Sequence, residues 1–365
     1  MAIANLEEKA AISVGDTVHR PYISDFQVND YTKGTAVSIQ DITATDETLT
    51  IATTKEISFY VDTIDKIQNM YNSADERSQR AAYRLSNDID GDFLSQVENA
   101  TNDFDDGDIG GTAGNPIALT SSNTVKSFSL LKAMMNKNNI EGDKPWDVVM
   151  DPATASFIEQ QVVANGFNTA DLTLKNGYAG DFLGFNCFVS NNLLHETILT
   201  AAGTIVADNT ITVAGVTFTI KAAPSVAGEV DLGASDEISL TNIALAINAG
   251  AGAGSEYIEI SAANRQTLTN NRVTATSTAT TLTIKSSGYV AVVEVLTWVT
   301  AATTSVKMLA ERRGAIDMVI QKLPTAQINK VEDKLGHNFI TYDLYGIKTF
   351  QEGKDRMIEF NVTSQ

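Results

Sequence analysis

Apolar residues alternate with polar ones through much of the first sixty positions. Thr48-Leu49-Thr50-Ile51 and Glu56-Ile57-Ser58-Phe59-Tyr60-Val61 have the period of a strand with one buried face. Shorter alternating runs at 18–23 and 36–41 come before them. Turn-forming residues, Asn29-Asp30, Lys33-Gly34 and Asp46-Glu47, separate the runs. The pattern predicts a long extended hairpin. It has few large apolar residues between 24 and 46, so it has no private core and must lie on another surface. The period then changes. Ala81, Leu85, Ile89, Phe93 and Val97 recur at every fourth position, and Ala82 and Leu94 widen the stripe, which predicts a helix over 73–99. Ser73-Ala74-Asp75-Glu76 fits a capping box, and the two carboxylates complement the positive helix end. Gly91 is a weak point, costing about 1 kcal/mol relative to Ala. A strand feeding one long helix is a scaffold and places no reactive group.

Further along, 101–124 reads as a flexible loop, with Asp103-Phe104-Asp105-Asp106-Gly107-Asp108 and Gly110-Gly111 in it. A helix over 125–138 would turn Phe128, Leu131 and Met135 inward. Trp146-Asp147-Val148-Val149-Met150 reads as a buried strand, Asp151-Pro152 opens a helix to about 163, and 182–190 is another strand. Composition shifts near 200. Between 200 and 305 the basic residues are Lys221, Arg265, Arg272 and Lys285, while Thr, Ala, Val and Gly dominate. Strands are expected at 210–213, 216–221, 257–261, 272–276, 280–285 and 292–299. One helix is expected at 240–248, followed by a flexible glycine link at 250–254. Residues 198–305 therefore read as a β-rich insertion. The parent domain resumes near 306, with strands at 316–322, 338–345 and 357–361.

The chain has 365 residues, more than one core usually serves. No apolar run is long enough for a bilayer, and Glu7 and Glu8 stand where a signal peptide would be basic and then apolar. A soluble protein made in the cytoplasm is the expectation. The formal charge of −19 favours solubility through self-repulsion and disfavours gripping phosphate backbones. The single cysteine, Cys187, excludes an internal disulfide and sits in an apolar run, where it reads as a buried structural thiol. His19, His195 and His337 lack a second ligand at zinc-site spacing. No nucleophile elbow, Walker A loop or dinucleotide fingerprint is present, and Gly250 to Gly254 lacks the Lys-Ser/Thr of a phosphate loop. Asp88-Ile89-Asp90-Gly91-Asp92 and Asp103 to Asp108 invite a calcium reading. An EF-hand register needs Glu at its twelfth position, where the chain has Asn99 and Gly114. A solvated acidic face is the simpler reading. No catalytic, cofactor or metal-ligating residue is assigned.

These parts, in this order, resemble a known family. A short arm, Gly15-Asp16-Thr17-Val18 opening an extended hairpin, the strand Glu56 to Asp62, and a long helix with Ile89-Asp90 near its middle are similar to tailed-bacteriophage major capsid proteins. The resemblance covers about 1–195 and 306–365. It implies an α+β chain of the Hong Kong 97-type fold. Residues 1–17 would be the N-terminal arm and 18–52 the E-loop hairpin. Residues 53–124 would hold the peripheral domain with its spine helix at 73–99, and 125–197 the axial domain. Residues 198–305 would be an inserted mainly-β domain, and 306–365 would return to the axial and peripheral domains. The implied function is non-enzymatic: self-assembly into hexamers and pentamers of an icosahedral shell in the host cytoplasm. That shell would enclose DNA without sequence-specific binding, need no cofactor or membrane, and work with separate scaffolding and portal proteins. Arg20, Lys33, Asp41, Asp46, Arg312 and Arg313 are the candidate intersubunit polar contacts.

Two other readings compete. A surface or fibre protein could bind carbohydrate through 198–305, and a hydrolase could draw on the scattered histidines. The hairpin argues for the shell. A ribbon without its own core must bury its apolar residues on something, and another copy of the same chain is a natural candidate.

Overall fold

The computed structural model describes residues 3–4, 15–23, 26–37, 39–40, 44–64, 73–140, 142–164, 178–201, 203–295, 299–331 and 335–364. Most of the expected N-terminal arm, Asp41 and the side chain of the expected N-cap Ser73 lie outside the described residues. In chain order the elements are β1 (Thr17–Ile23), β2 (Ala44–Thr50), β3 (Thr53–Asp62), α1 (Ser73–Leu94), β4 (Asn102–Phe104), α2 (Thr124–Lys137), β5 (Trp146–Met150), α3 (Pro152–Ala164), β6 (Tyr178–Phe182), β7 (Phe185–Val189) and β8 (Leu194–Ala201). There follow β9 (Thr210–Val213), β10 (Val216–Lys221), β11 (Glu229–Asp231), α4 (Asp236–Asn248), α5 (Ala262–Asn270), β12 (Thr274–Ser277), β13 (Thr281–Ser287) and β14 (Val292–Val295). The chain closes with β15 (Val299–Arg312), β16 (Asp317–Lys330), β17 (Gly336–Lys348), α6 (Gln351–Lys354) and β18 (Met357–Thr363). The class is α+β, in two compact units: 1–101 with 313–357, and 102–312 with 358–365.

In the first unit, β1 and β2 form the expected antiparallel ribbon, in register from Thr17↔Thr50 to Ile23↔Ala44. Its base is anchored, because Val18, Leu49 and Ile51 are buried with Val319 and Phe350. Among the described residues of 36–41 the expected strand is not found. The described residues there are irregular, and the Gln40 amide ties the loop instead, accepting from Gln27 N–H at 2.9 Å and donating to Gln27 C=O at 2.5 Å. Beside the ribbon lies a three-stranded sheet in the order β16-β17-β3. The register of edge strand β16 against β17 slips between Lys322 and Thr325, where Pro324 has no N–H to give the ladder. Gly346 of β17 lets the end of β2 cross closely, since a Cβ there would lie 2.6 Å from the Thr50 carbonyl oxygen. α1 packs on this sheet through the predicted stripe. Ala81, Leu85, Ile89 and Phe93 are all buried, and the helix then tightens into a 3-10 turn at Ser95–Asn99 that buries Val97.

The second unit is built on a sheet ordered β12-β13-β8-β15-β5-β7-β6, with β18 beside β15 and β4 beside β18. β5 and β7 are parallel, so the chain between them crosses over through α3. The single strand expected at 182–190 begins earlier and is broken. Leu183 and Gly184, both at positive φ, turn the chain so that β6 and β7 form a hairpin. Phe128 of α2 meets Phe182, Phe185 and Phe360 edge-on, with ring centres 5.3–6.3 Å apart. Leu131 and Met135 of α2 are buried as the pattern predicted.

Two expected loops are ordered. At 102–115, Asp105 accepts from Gly107 N–H at 2.7 Å and also from Gly114 N–H, Asp108 accepts from Asp105 N–H at 3.1 Å, and Asp106 accepts from Thr112 N–H at 2.9 Å. The carboxylates that suggested solvated flexibility fold the backbone around themselves. At 250–254, Tyr257 O–H donates to the Gly250 carbonyl at 2.7 Å and Gly254 N–H to the Tyr257 carbonyl at 2.7 Å.

Residues 199–299 surround a continuous apolar cluster. The sheet β11-β10-β9-β14 supplies Ile211, Val213, Phe218 and Ile220, α4 supplies Leu240, Ile243 and Ile247, and β13 supplies Leu282 and Ile284. α4 starts earlier than expected, at Asp236, because Ser235 caps it by accepting from Ile238 N–H. α5 was not expected. Its one buried apolar residue, Leu268, leaves no stripe to read, and the run expected as a strand at 257–261 ends in its cap, Ser261. β13 also pairs with β8, and β8 with β15, so this segment shares strands with the larger sheet.

Candidate assembly surface

The residues with possible reactive chemistry are placed apart and mostly engaged. Nδ1 of His19 lies 2.7 Å from the Asp46 carboxylate on the exposed ribbon. His195 is half-buried in β8 with Tyr289 edge-on at 5.9 Å, and its partial burial pushes its pKa down to about 4, against the opposing pull of Asp151. His337 is exposed on β17. Cys187 is buried, and that burial pushes its thiol up to about 12, so it is held protonated. Among the described residues, no group of three or more His, Cys, Asp or Glu side chains is placed to hold a metal ion. No described helix is long and apolar enough to cross a membrane.

The sequence-derived contact candidates divide into several groups. Arg20 reaches two carboxylates of its own chain, Asp317 at 3.2 Å and Glu352 at 2.9 Å, with its guanidinium over the Phe350 ring. Arg312 is nearly buried and holds Asp143 through two bonds of 2.6 and 2.5 Å; hydrogen bonding from Arg312 depresses the Asp143 pKa. Arg313 also has a partner within the chain. Asp46 is paired with His19. Lys33 is exposed at the ribbon tip, and Asp41 lies outside the described residues. The structure thus gathers Lys33 and Asp46 on the ribbon, while Arg20 and Arg312 spend their charge inside their own chain.

The residues that set this surface apart are apolar. Phe26 is 74% exposed, Val28 100%, Tyr31 66%, Val37 72% and Ile39 91%. All lie between β1 and β2, on the part of the ribbon that extends beyond its anchored base. Exposed apolar residues are ordinary when scattered, but a group confined to one projecting ribbon marks a contact surface. The sequence reading found this stretch poor in large apolar residues and missed them individually. The period-two pairs Phe26/Val28 and Val37/Ile39 were the available signal. A lesser group lies on β14, an edge strand of its sheet, where Val293 and Val295 are exposed.

No protein-family model and no curated protein matches the chain. Solved structures do. One titled Mycobacterium phage Che8 is 16% identical with a TM-score of 0.55, covering 98% of this chain and 88% of that one. One titled as the capsid structure of the Cyanophage P-SCSP1u is 11% identical with a TM-score of 0.51, covering 97% and 85%. At these identities the likeness establishes the fold: an α+β Hong Kong 97-type capsid fold with additional β structure. The resemblance drawn from the first hundred residues holds at that level.

Proposed function

We propose that this chain is a major capsid protein, a structural subunit that assembles into the icosahedral shell of a tailed bacteriophage. The observation that carries the proposal is the ribbon. Its base is held by Val18, Leu49 and Ile51, and its tip offers Phe26, Val28, Tyr31, Val37 and Ile39 to solvent. Covering such a tip with a neighbouring copy removes apolar surface from water at about 25 cal/mol per Å². A contact between unlike patches of identical subunits propagates until symmetry closes it. Matched solved structures covering nearly the whole chain support the same reading.

On this proposal 18–52 is the E-loop, 73–99 the spine helix and 198–305 the inserted domain. Lys33 and Asp46 supply polar contacts around the apolar tip. Subunits group as hexamers and pentamers, scaffolding and portal functions belong to other proteins, and DNA is enclosed rather than gripped. The role is structural, without a catalytic step.

Negative-stain electron microscopy of the purified protein, alone and co-expressed with its phage's scaffolding protein, tests this. Closed shells or capsomers are expected. Only small discrete particles under every condition would reject it.

A further inference from the structure

The joint between α1 and its sheet contains a buried carboxylate in an unusual position. Asp343, at the middle of β17, is completely buried. One of its oxygens accepts a single bond, from Lys55 N–H at 3.2 Å, and the other has no hydrogen-bond partner. Two residues away on the same strand face, the hydroxyl of buried Thr341 also has none. Among the described residues, β3 and α1 bring charged or titratable groups to this layer. β3 brings Lys55, directly opposite Asp343, and its ammonium lies 3.4 Å from Asp88 of α1. α1 brings Asp88 and Asp92, and Asp92 accepts from the buried Tyr345 hydroxyl of β17. β16 places its irregular stretch, Leu323-Pro324, beside Asp343 and adds no titratable group.

The polar contacts that fasten the helix to the sheet include Lys55 to Asp88 and Tyr345 to Asp92, with Asp343 beside the first. One lysine faces two carboxylates on opposite sides of the joint. A buried carboxylate with an unmatched oxygen is costly when ionised and far less so when protonated. Ionised Asp343 would also repel Asp88 and compete for its lysine. We propose that Asp343 is a proton-operated latch between α1 and the sheet. Uncharged, it leaves Lys55 to Asp88 and the helix stays docked. Ionised, it draws Lys55 away and loosens the joint.

Burial, with Asp88 adding to it, raises the Asp343 carboxyl above the usual 3.8, which fixes the sign. A group that binds its proton more tightly when folded stabilises the fold below its unfolded pKa, and that contribution is lost as pH rises through the folded one. The joint is tightest in acid and loosens toward neutral pH, the reverse of an ordinary paired aspartate.

Hydrogen exchange of the full-length protein tests this, with rates corrected for intrinsic pH dependence and the assembly state checked by sedimentation at each pH. Protection of 53–59 and 81–94 should fall from about pH 4 to about pH 8, roughly tenfold for each unit by which the carboxyl is raised. Asp343→Asn should keep protection high and flat. If that variant fails to fold, Asp88→Asn, which removes the ion pair that the latch switches, should lower the protection of 81–94 at acid pH and leave little further fall toward neutral pH. Flat protection in the unaltered protein, unchanged pH dependence in Asp343→Asn, or an undiminished fall in Asp88→Asn would each overturn the latch. So would recovery of protection on adding millimolar calcium at the upper pH, which would make the place a cation site. None of these outcomes depends on whether the protein forms shells.

Discussion

The ribbon at 17–50 and the segment at 199–299 are both rich in alternating sequence, yet they solve the burial problem in opposite ways. The segment folds its strands and two helices around one cluster in which Ile211, Val213, Leu240, Ile243 and Leu282 are wholly buried. The ribbon buries only its base and leaves Val28 and Ile39 almost fully in water. Alternation specifies a strand with two faces. It does not say what covers the apolar one. A second sheet and a helix cover it in the segment, whereas nothing among the described residues covers the ribbon tip, and a partner copy is the proposed cover.

Substitutions in the two regions should therefore have different readouts. The largest effect on stability is expected inside the segment. Phe218→Ala removes a fully buried ring and should cost about 3–5 kcal/mol in denaturant unfolding of the unassembled protein. A cost below 1 kcal/mol would mean the cluster is not a working core.

The next effect comes from charge at the root of the segment. Lys307 of β15 lies 3.3 Å from Glu196 of β8 and 2.6 Å from Glu359 of β18, and Lys285 of β13 lies 3.7 Å from Glu196. Burial works against the Lys307 charge, but Glu359 and Glu196 outweigh it and raise its pKa. Lys307→Met would leave the two glutamates facing each other, at a cost of about 3 kcal/mol near neutral pH. Because the folded pKa is raised, this contribution is present below the ordinary lysine value and fades only in strong alkali. Denaturant titrations of both proteins at neutral pH, with the unaltered protein followed into alkali, check it.

The ribbon should behave the other way. Val28→Ser with Ile39→Ser should change the stability of the unassembled protein by less than about 0.5 kcal/mol per site, as exposed positions do. The same pair should abolish or strongly weaken assembly in sedimentation velocity. A large loss of monomer stability would show that the tip packs on its own chain and would remove the basis for the shell.

The smallest effect sharpens the picture of the segment's rim. Backbone N–H groups of Ser225 and Val226, at 2.7 and 2.9 Å, depress the Glu229 pKa. A lowered folded pKa means stability that is present above the ordinary glutamate value and is lost as pH falls through the folded one. Thermal melts should show a small acid-side loss in the unaltered protein that is missing in Glu229→Gln.

Some of this was readable in advance, and particular residues show why. The Ala81, Leu85, Ile89, Phe93 stripe of α1 could be read because residues four apart share a helix face wherever the helix sits. The ribbon could be read from alternation and turn residues. α5 was missed because Ser261 and one leucine carry no period, and the ordered loop at 102–115 because acidic residues look alike in sequence whether water or their own backbone satisfies them. The contact candidates suffered most. Arg20 finds its partners at Asp317 and Glu352, about three hundred positions away, so no local pattern announces that its charge is already spent.

By itself, then, the chain's order of residues determined the strand and helix periods, the long helix, the acidic balance and a ribbon without a private core. These follow from side-chain spacing along the backbone, which is a local property. Only the tertiary structure decided that β15 would run from beside β8 to beside β5, that Arg312 would hold Asp143, that Asp343 would lie against the long helix, and that Phe26, Val28, Tyr31, Val37 and Ile39 of the ribbon tip would stay exposed. Each depends on which distant segments meet, and that is set by the burial of the whole chain at once.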